Sequence, residues 1–348
     1  MFRRIINAAA FAAALGISAC ANVHDVDTRV GAVAQAPKVV IISMFGPEGA
    51  VWLSRLGPWH DILIPGLSPD YPAVHCNREG ICVLTTGMGH SNAAASTMAL
   101  VFSRAFDLSH TYFMVAGIAG INPEHGTLGS VAWARYLVDF GIQWEIDARE
   151  IPASWNTGYL GINATNPSLK PPLDFRTEVF QLNEALLQKA YALSRNVVLS
   201  DSPEARMARA KFSYAPANLP PTVLQCDTLA SDTWFSGTAL GQRATEWTKI
   251  LTDGKGVYCT TQQEDNATYE ALKRGAAAKL VDLNRVAVLR AGSDFDRPYA
   301  GQTSADNLLN YQAQGGFAVS LQNLFLAGNP LVQEITTNWE TWRDGAPK

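Results

Sequence analysis

The sequence predicts an α/β protein, a central sheet with helices packed on both faces. Short β-branched apolar runs alternate with longer stretches in which apolar residues recur at every third and fourth position, the mark of strands interleaved with amphipathic helices. Past the N-terminus, no apolar run approaches the roughly 20 residues that a membrane-crossing helix needs. No Pro/Gly/Ser-rich linker divides the chain, so one domain is expected over residues 37–348.

The chain opens with Arg3 and Arg4 ahead of an apolar run from Ile5 to Ala19, the layout of an export signal. Two processing routes fit it. Ala19-Cys20-Ala21 suits ordinary signal cleavage, whereas Ile17-Ser18-Ala19-Cys20 resembles a bacterial lipobox, in which Cys20 becomes a lipid-anchored N-terminus. On either route residues 22–36 are expected to be a flexible lead-in, and the protein to be periplasmic or lipid-anchored in a bacterial envelope.

Strands are expected at residues 39–43, 81–85, 112–115, 131–133 and 286–290, where apolar β-branched side chains cluster. Helices are expected at 92–106, 179–194, 267–280 and 317–327. Glycine-rich turns follow two of the strands, Thr85-Thr86-Gly87-Met88-Gly89-His90 and Ala116-Gly117-Ile118-Ala119-Gly120. Such turns stand at the carboxyl ends of strands, where open α/β sheets bind ligands. Residues 146–173 and 200–223, rich in Pro and Asn and carrying Trp155, Tyr159 and Tyr214, read as long loops of a size usually tied to function.

Charge and composition exclude several classes. The net charge is −4 and no Lys/Arg cluster occurs, which argues against a nucleic-acid partner. The six histidines are scattered, none in a helical i, i+4 pair, and no CxxC occurs, so no metal or other cofactor is expected. Four cysteines besides Cys20 would meet an oxidising compartment. Cys76 and Cys82 bracket the turn-like Asn77-Arg78-Glu79-Gly80 between two strand candidates, which suits a disulfide across a hairpin; Cys226 and Cys259 then either pair with each other or remain buried thiols.

Four segments recur in one order: Ile41-Ile42-Ser43-Met44-Phe45-Gly46-Pro47-Glu48, Thr86-Gly87-Met88-Gly89, Ala116-Gly117-Ile118-Ala119-Gly120 and Leu289-Arg290-Ala291-Gly292-Ser293-Asp294. Together they resemble the purine-nucleoside phosphorylase and methylthioadenosine nucleosidase superfamily. Residues 43–52, 87–91 and 117–129 are similar to its purine nucleoside permease members. The resemblance implies a three-layer fold with a mixed, twisted sheet, a purine nucleoside as ligand, and assembly into a homo-oligomer. The word permease sits badly with a chain that carries no second apolar span.

The resemblance also implies chemistry: cleavage of an N-glycosidic bond through an oxocarbenium-like sugar, with an acid that protonates N7 of the departing purine. It places the acid at Asp294, with Asp296 two residues on as a substitute, and the water-activating carboxylate at Glu48. An acid at a crevice edge is one whose pKa burial can raise toward the working pH. The glycine turns imply ligand contacts at Met88, Gly89 and Gly117, and Ser293 adjoins the acid. Ser231-Asp232-Thr233-Trp234-Phe235 matches the base-recognition segment, with Trp234 or Phe235 to stack on the purine. The sugar-binding element matches Gln263-Glu264-Asp265-Asn266, which puts Asn266 where the superfamily has Glu; the sugar contact is then weaker, or Glu264 or Asp265 takes it over.

Relatives that use phosphate hold it with arginine and serine, and here Val115 and Ile118 occupy the matching places, with Arg55 the nearest alternative. Water is therefore expected as the nucleophile, giving hydrolysis in preference to phosphorolysis. The rival expectation is a non-catalytic nucleoside-binding protein that supports uptake. It draws on Asn266 and on the missing phosphate arginine, while the retention of Glu48 and Asp294 speaks for an enzyme.

Overall fold

In β1, Val39 and Ile41 point to one face of the sheet while Val40 and Ile42 point to the other, and all four are buried. Four successive buried apolar residues in one strand are the pattern of a sheet covered on both sides. The computed structural model describes residues 34–347 and bears this out. The export signal and Cys20 lie outside the described residues.

Fourteen strands are found among the described residues. They are β1 (Val39–Ser43), β2 (His60–Leu63), β3 (Ala73–Cys76), β4 (Ile81–Thr85), β5 (Tyr112–Ile121), β6 (Val131–Trp133), β7 (Tyr136–Asp139), β8 (Gln143–Glu145), β9 (Tyr159–Gly161), β10 (Val179–Gln181), β11 (Val223–Gln225), β12 (Asp227–Ala230), β13 (Tyr258–Gln262) and β14 (Val286–Phe295). The helices are α1 (Gly46–Leu56), α2 (His90–Val101), α3 (Glu184–Ser194), α4 (Pro203–Arg209), α5 (Thr238–Leu251), α6 (Asp265–Ala277), α7 (Ser304–Leu309), α8 (Gly316–Thr337) and α9 (Trp339–Trp342).

Twelve strands form one mixed sheet in the order β10-β7-β12-β13-β5-β1-β4-β3-β2, with β14 joining β5 to β6 and β6 joining β11; β8 and β9 form a separate hairpin. β5 is the pivot. It runs parallel to β1 and β14 and antiparallel to β13, so the sheet branches at its carboxyl half. On one face, Tyr112, Met114 and Ala116 of β5 pack with Trp52 of α1, Leu186 of α3 and Leu324 of α8. On the other, Phe113 and Val115 pack with Leu100 of α2 and Leu272 of α6. The expected three-layer α/β architecture is what forms.

Several local expectations give way to tertiary pairing. The glycine segment 116–120 is no turn: β5 continues to Ile121 because β14 pairs with it residue by residue, Gly117 opposite Arg290 and Ala119 opposite Gly292. The strand expected to stop at Arg290 likewise runs on to Phe295. The single helix expected over 179–194 divides into β10 and α3, because the Asn183 side chain accepts the Leu186 N–H at 2.9 Å and starts the helix there. The helices expected at 92–106, 267–280 and 317–327 become α2, α6 and α8, the last reaching Thr337 past Pro330. The long loops carry β9 and α4 within them. Of the lead-in expected to be flexible, Gln35 is tied down by backbone hydrogen bonds to Ala105 and Asp107, both 2.8 Å.

Both cysteine pairs are joined. Cys76 and Cys82 sit directly opposite each other in the β3–β4 hairpin, with their Cα atoms 4.1 Å apart. Cys226 and Cys259 link the chain before β12 to β13 across 33 residues of sequence.

Candidate active site

A cavity of about 380 Å³ opens where the carboxyl ends of β5, β13 and β14 meet the first turns of α1 and α6. That is ample for one drug-sized or nucleoside-sized molecule. Three carboxylates and one guanidinium reach it: Glu48, Glu264, Asp294 and Arg290.

Glu48 stands in the first turn of α1, behind Pro47, and is 2% exposed. Its two oxygens accept the backbone N–H groups of Met44 and Ile118, each at 2.7 Å. Burial pushes its pKa up to about 7, against the opposing pull of Arg290 and of these two donors. Gly117 explains how the carboxylate gets so close to the sheet. A Cβ at that position would overlap Met44, Arg290 and Glu48, so the expected ligand contact at Gly117 is instead a gap that lets these side chains converge.

Asp294 lies within β14, at an irregularity in the ladder. Gly292 pairs with Ala119 and Asp294 with Gly120, leaving Ser293 as the extra residue of a bulge. The bulge re-aims the strand so that Ser293 and Asp294 both face the cavity. Burial pushes the Asp294 carboxyl up to about 6, opposed by the Ser293 hydroxyl, which donates to Asp294 Oδ1 at 2.7 Å. Asp296 does not back it up. Its carboxylate is taken by Arg297, at 2.7 and 3.1 Å, and by the Tyr258 hydroxyl at 2.7 Å.

At the start of α6 it is Glu264, rather than Asn266, that reaches the cavity. Asn266 turns back into the protein, its amide donating to the Thr177 carbonyl at 2.8 Å, and does not line the cavity. Glu264 immediately precedes α6, and its side chain accepts the Gly89 N–H at 3.1 Å. Gly89 holds that pose with a φ of +89°, open to glycine at little cost, so its role is to position Glu264 from the glycine turn. Met88 beside it is 59% exposed at the cavity rim.

Trp234 lines the cavity, about half exposed, with its ring 4.7 Å from that of Tyr311. Phe235 faces the other way, buried against Phe140 at 5.6 Å, so only one of the two aromatics is free to stack on a base. Val115 is core; Ile118 lines the cavity and donates its N–H to Glu48. Arg55 is remote, held at the surface by Gln322 and lying over the Phe325 ring.

Sequence reasoning overlooked Arg290 as a functional group. It is 1% exposed, pairs with Asp265 and Glu264, and donates to the Ile118 carbonyl at 3.1 Å. Its signal was legible: one guanidinium inside the otherwise apolar run Val286–Ala291 must find buried partners. Gln262 was likewise missed. Its Oε1 accepts the Glu264 and Asp265 N–H groups at 2.7 and 2.9 Å and so seats the start of α6.

The family model described as purine nucleoside permease matches residues 36–347. The chain belongs to the purine nucleoside permease family. It is 40% identical over 317 residues to a probable purine nucleoside permease of Schizosaccharomyces pombe, covering 88% of this chain and 91% of the relative. It is 39% identical over 309 residues to a purine nucleoside permease of Candida albicans, covering 87% and 76%. Among solved structures it is similar to a 5'-methylthioadenosine/S-adenosylhomocysteine nucleosidase from Helicobacter pylori, with a TM-score of 0.53 and 12% identity over 87% of this chain and all of that one. A futalosine hydrolase of the same organism gives a TM-score of 0.52 at 13% identity, covering 86% and 98%. At such identities the likeness is one of fold. In this permease-family chain, no helix among the described residues is long and apolar enough to cross a membrane.

Proposed function

We propose that this protein binds a purine nucleoside in the cavity and hydrolyses its N-glycosidic bond, with Asp294 as acid and Glu48 as base. The observation that carries the reading is that two buried carboxyls facing one cavity have their pKa values raised to about 6 and about 7. Acid and base groups work best with pKa values near the operating pH.

Trp234 supplies a face for the purine, and Glu264 an ionic acceptor for sugar hydroxyls. As the bond to the base breaks, its electron pair leaves with the purine and Asp294 gives its proton to N7. Glu48 takes a proton from water, whose oxygen bonds to the anomeric carbon. The products are free base and free sugar. Glu48 and Asp294 both line the cavity but make no hydrogen bond to each other, their carboxylates being engaged by Met44 and Ile118 and by Ser293. In this reading sugar and water stand between base and acid, the arrangement that inverting hydrolysis requires.

The relatives' names favour a second reading, a nucleoside-binding protein that supports uptake without turnover. The N-terminal pattern supports export, with Cys20 as a lipid anchor or as a residue removed with the signal. Incubation of purified protein with inosine, adenosine and guanosine, with and without phosphate, separates the readings. Free base and ribose are expected; unchanged nucleoside would favour the binder.

A further inference from the structure

The proposed chemistry makes no use of Asp265, although it is a fully buried carboxylate in contact with Arg290, which lines the cavity. Arg290 Nη2 lies 2.5 Å from Asp265 Oδ1, and Nε lies 3.2 Å from both Asp265 oxygens. The same Nη2 is 3.3 Å from Glu264, while Nη1 donates to the Ile118 carbonyl. Asp265 itself does not line the cavity; it stands behind Arg290, in the first turn of α6. That turn is already capped, since Gln262 accepts the Asp265 N–H. The helix end therefore has no need of a second acid.

Without Asp265, the cavity would hold a guanidinium beside Glu48, at the end where the nucleophile must stand. Proteins hold phosphate with this planar fork of N–H donors. Asp265 occupies one edge of the fork and cancels its charge. Glu264 and Glu48 then leave the surroundings of Arg290 net negative, a poor place for a dianion.

We propose that Asp265 is a positioning residue that selects the nucleophile: by engaging Arg290 from behind, it closes the Glu48 end of the cavity to phosphate and keeps it for water. The inference rests on the hydrolytic reading above and deepens it. With Asp265 made neutral, the charge of Arg290 is no longer cancelled from behind, and the part of the guanidinium that lines the cavity can attract phosphate. A phosphate oxygen then bonds to the anomeric carbon, the electron pair of the C–N bond leaves with the base, Asp294 protonates N7, and the sugar product is ribose 1-phosphate.

The test is Asp265→Asn, which keeps shape and removes charge. Calorimetric titration with inorganic phosphate should show binding at least about tenfold tighter than in the wild type, the size of effect one charge-assisted contact brings. Asp265→Asn with Arg290→Gln should lose the phosphate again. Thermal melting and nucleoside binding identify a folded variant; if that variant binds phosphate no better, the proposal is overturned. It is also overturned if the double variant keeps the phosphate. Should Asp265→Asn not fold, the wild type decides: phosphate competing with nucleoside, or ribose 1-phosphate among its products, refutes the proposal, and the absence of both supports it. A wild type that cleaves no nucleoside refutes the hydrolytic reading alone, because phosphate binding is measured without turnover.

Discussion

The Glu48 carboxylate accepts the Ile118 N–H at 2.7 Å, tying the first turn of α1 to the middle of β5 across 70 residues of sequence. The bond fixes the carboxylate at one end of the cavity while burial keeps it protonated more readily than a surface acid. Hydrolysis needs Glu48 ionised and Asp294 protonated. With values near 7 and near 6, kcat/KM should be bell-shaped, falling as pH drops below about 6 and again above about 7. In Glu48→Gln the residual activity no longer needs an ionised base, so the fall on the acid side should vanish. A pH–rate profile of both proteins checks this.

Asp294→Asn keeps the shape and removes the transferable proton. Protonation of N7 strengthens only as the bond breaks, so kcat should fall by about a hundred- to ten-thousand-fold with nucleoside affinity nearly unchanged. Single-turnover kinetics beside equilibrium binding measures both. Equal rates in variant and wild type would remove Asp294 from its role, and the Arg297 and Tyr258 contacts make Asp296 a poor successor.

The same burial costs stability. Both acids are raised in the folded state above their ordinary values, so the stability they contribute is fully present at low pH and lost as pH rises through about 6 for Asp294 and about 7 for Glu48. For Asp294 the loss by pH 8 is on the order of 3 kcal/mol. Asp294→Asn has no charge to bury. Its melting temperature relative to wild type should therefore rise between pH 4 and pH 8, as differential scanning calorimetry would show.

Trp234 and Phe235 are neighbours in sequence with opposite surroundings. Trp234→Ala should weaken nucleoside binding by about 1–3 kcal/mol, the usual worth of a base stacked on an aromatic ring, and leave the melting temperature nearly unchanged. Phe235→Ala should cost about 3–5 kcal/mol of stability through an unfilled core. Calorimetric titration and thermal melting of the two variants give opposite outcomes if the cavity-facing ring is Trp234.

Removing Cys226–Cys259 should cost more than removing Cys76–Cys82. The first closes 33 residues and the second 6, worth about 3.7 and about 2.2 kcal/mol in loop entropy. Paired Cys→Ser variants compared by chemical denaturation test the order.

Much of this is legible in the order of the amino acids. The all-apolar run of β1 announces a strand covered on both faces, and β4 and β6 fall where β-branched clusters place them. Glu48 and Asp294 stand out through the motifs that carry them, and they do meet at one cavity. Asn266 and Phe235 were misplaced because a shift of a residue or two at a helix start or strand end decides which side chain faces the cavity, and only packing sets that register.

Pattern and composition determined by themselves the layers of the fold and the hairpin disulfide, since each depends on residues close in sequence or on periodicity, while the family resemblance singled out Glu48 and Asp294. The tertiary structure decided the rest. The glycines of 116–120 stay extended only because β14 lies alongside them, and Arg290 becomes a member of the site only because Asp265, Glu264 and Ile118 converge on it from separate elements. A buried charge takes its meaning from its partners, and those partners are brought together by the sheet, not by the chain's own order.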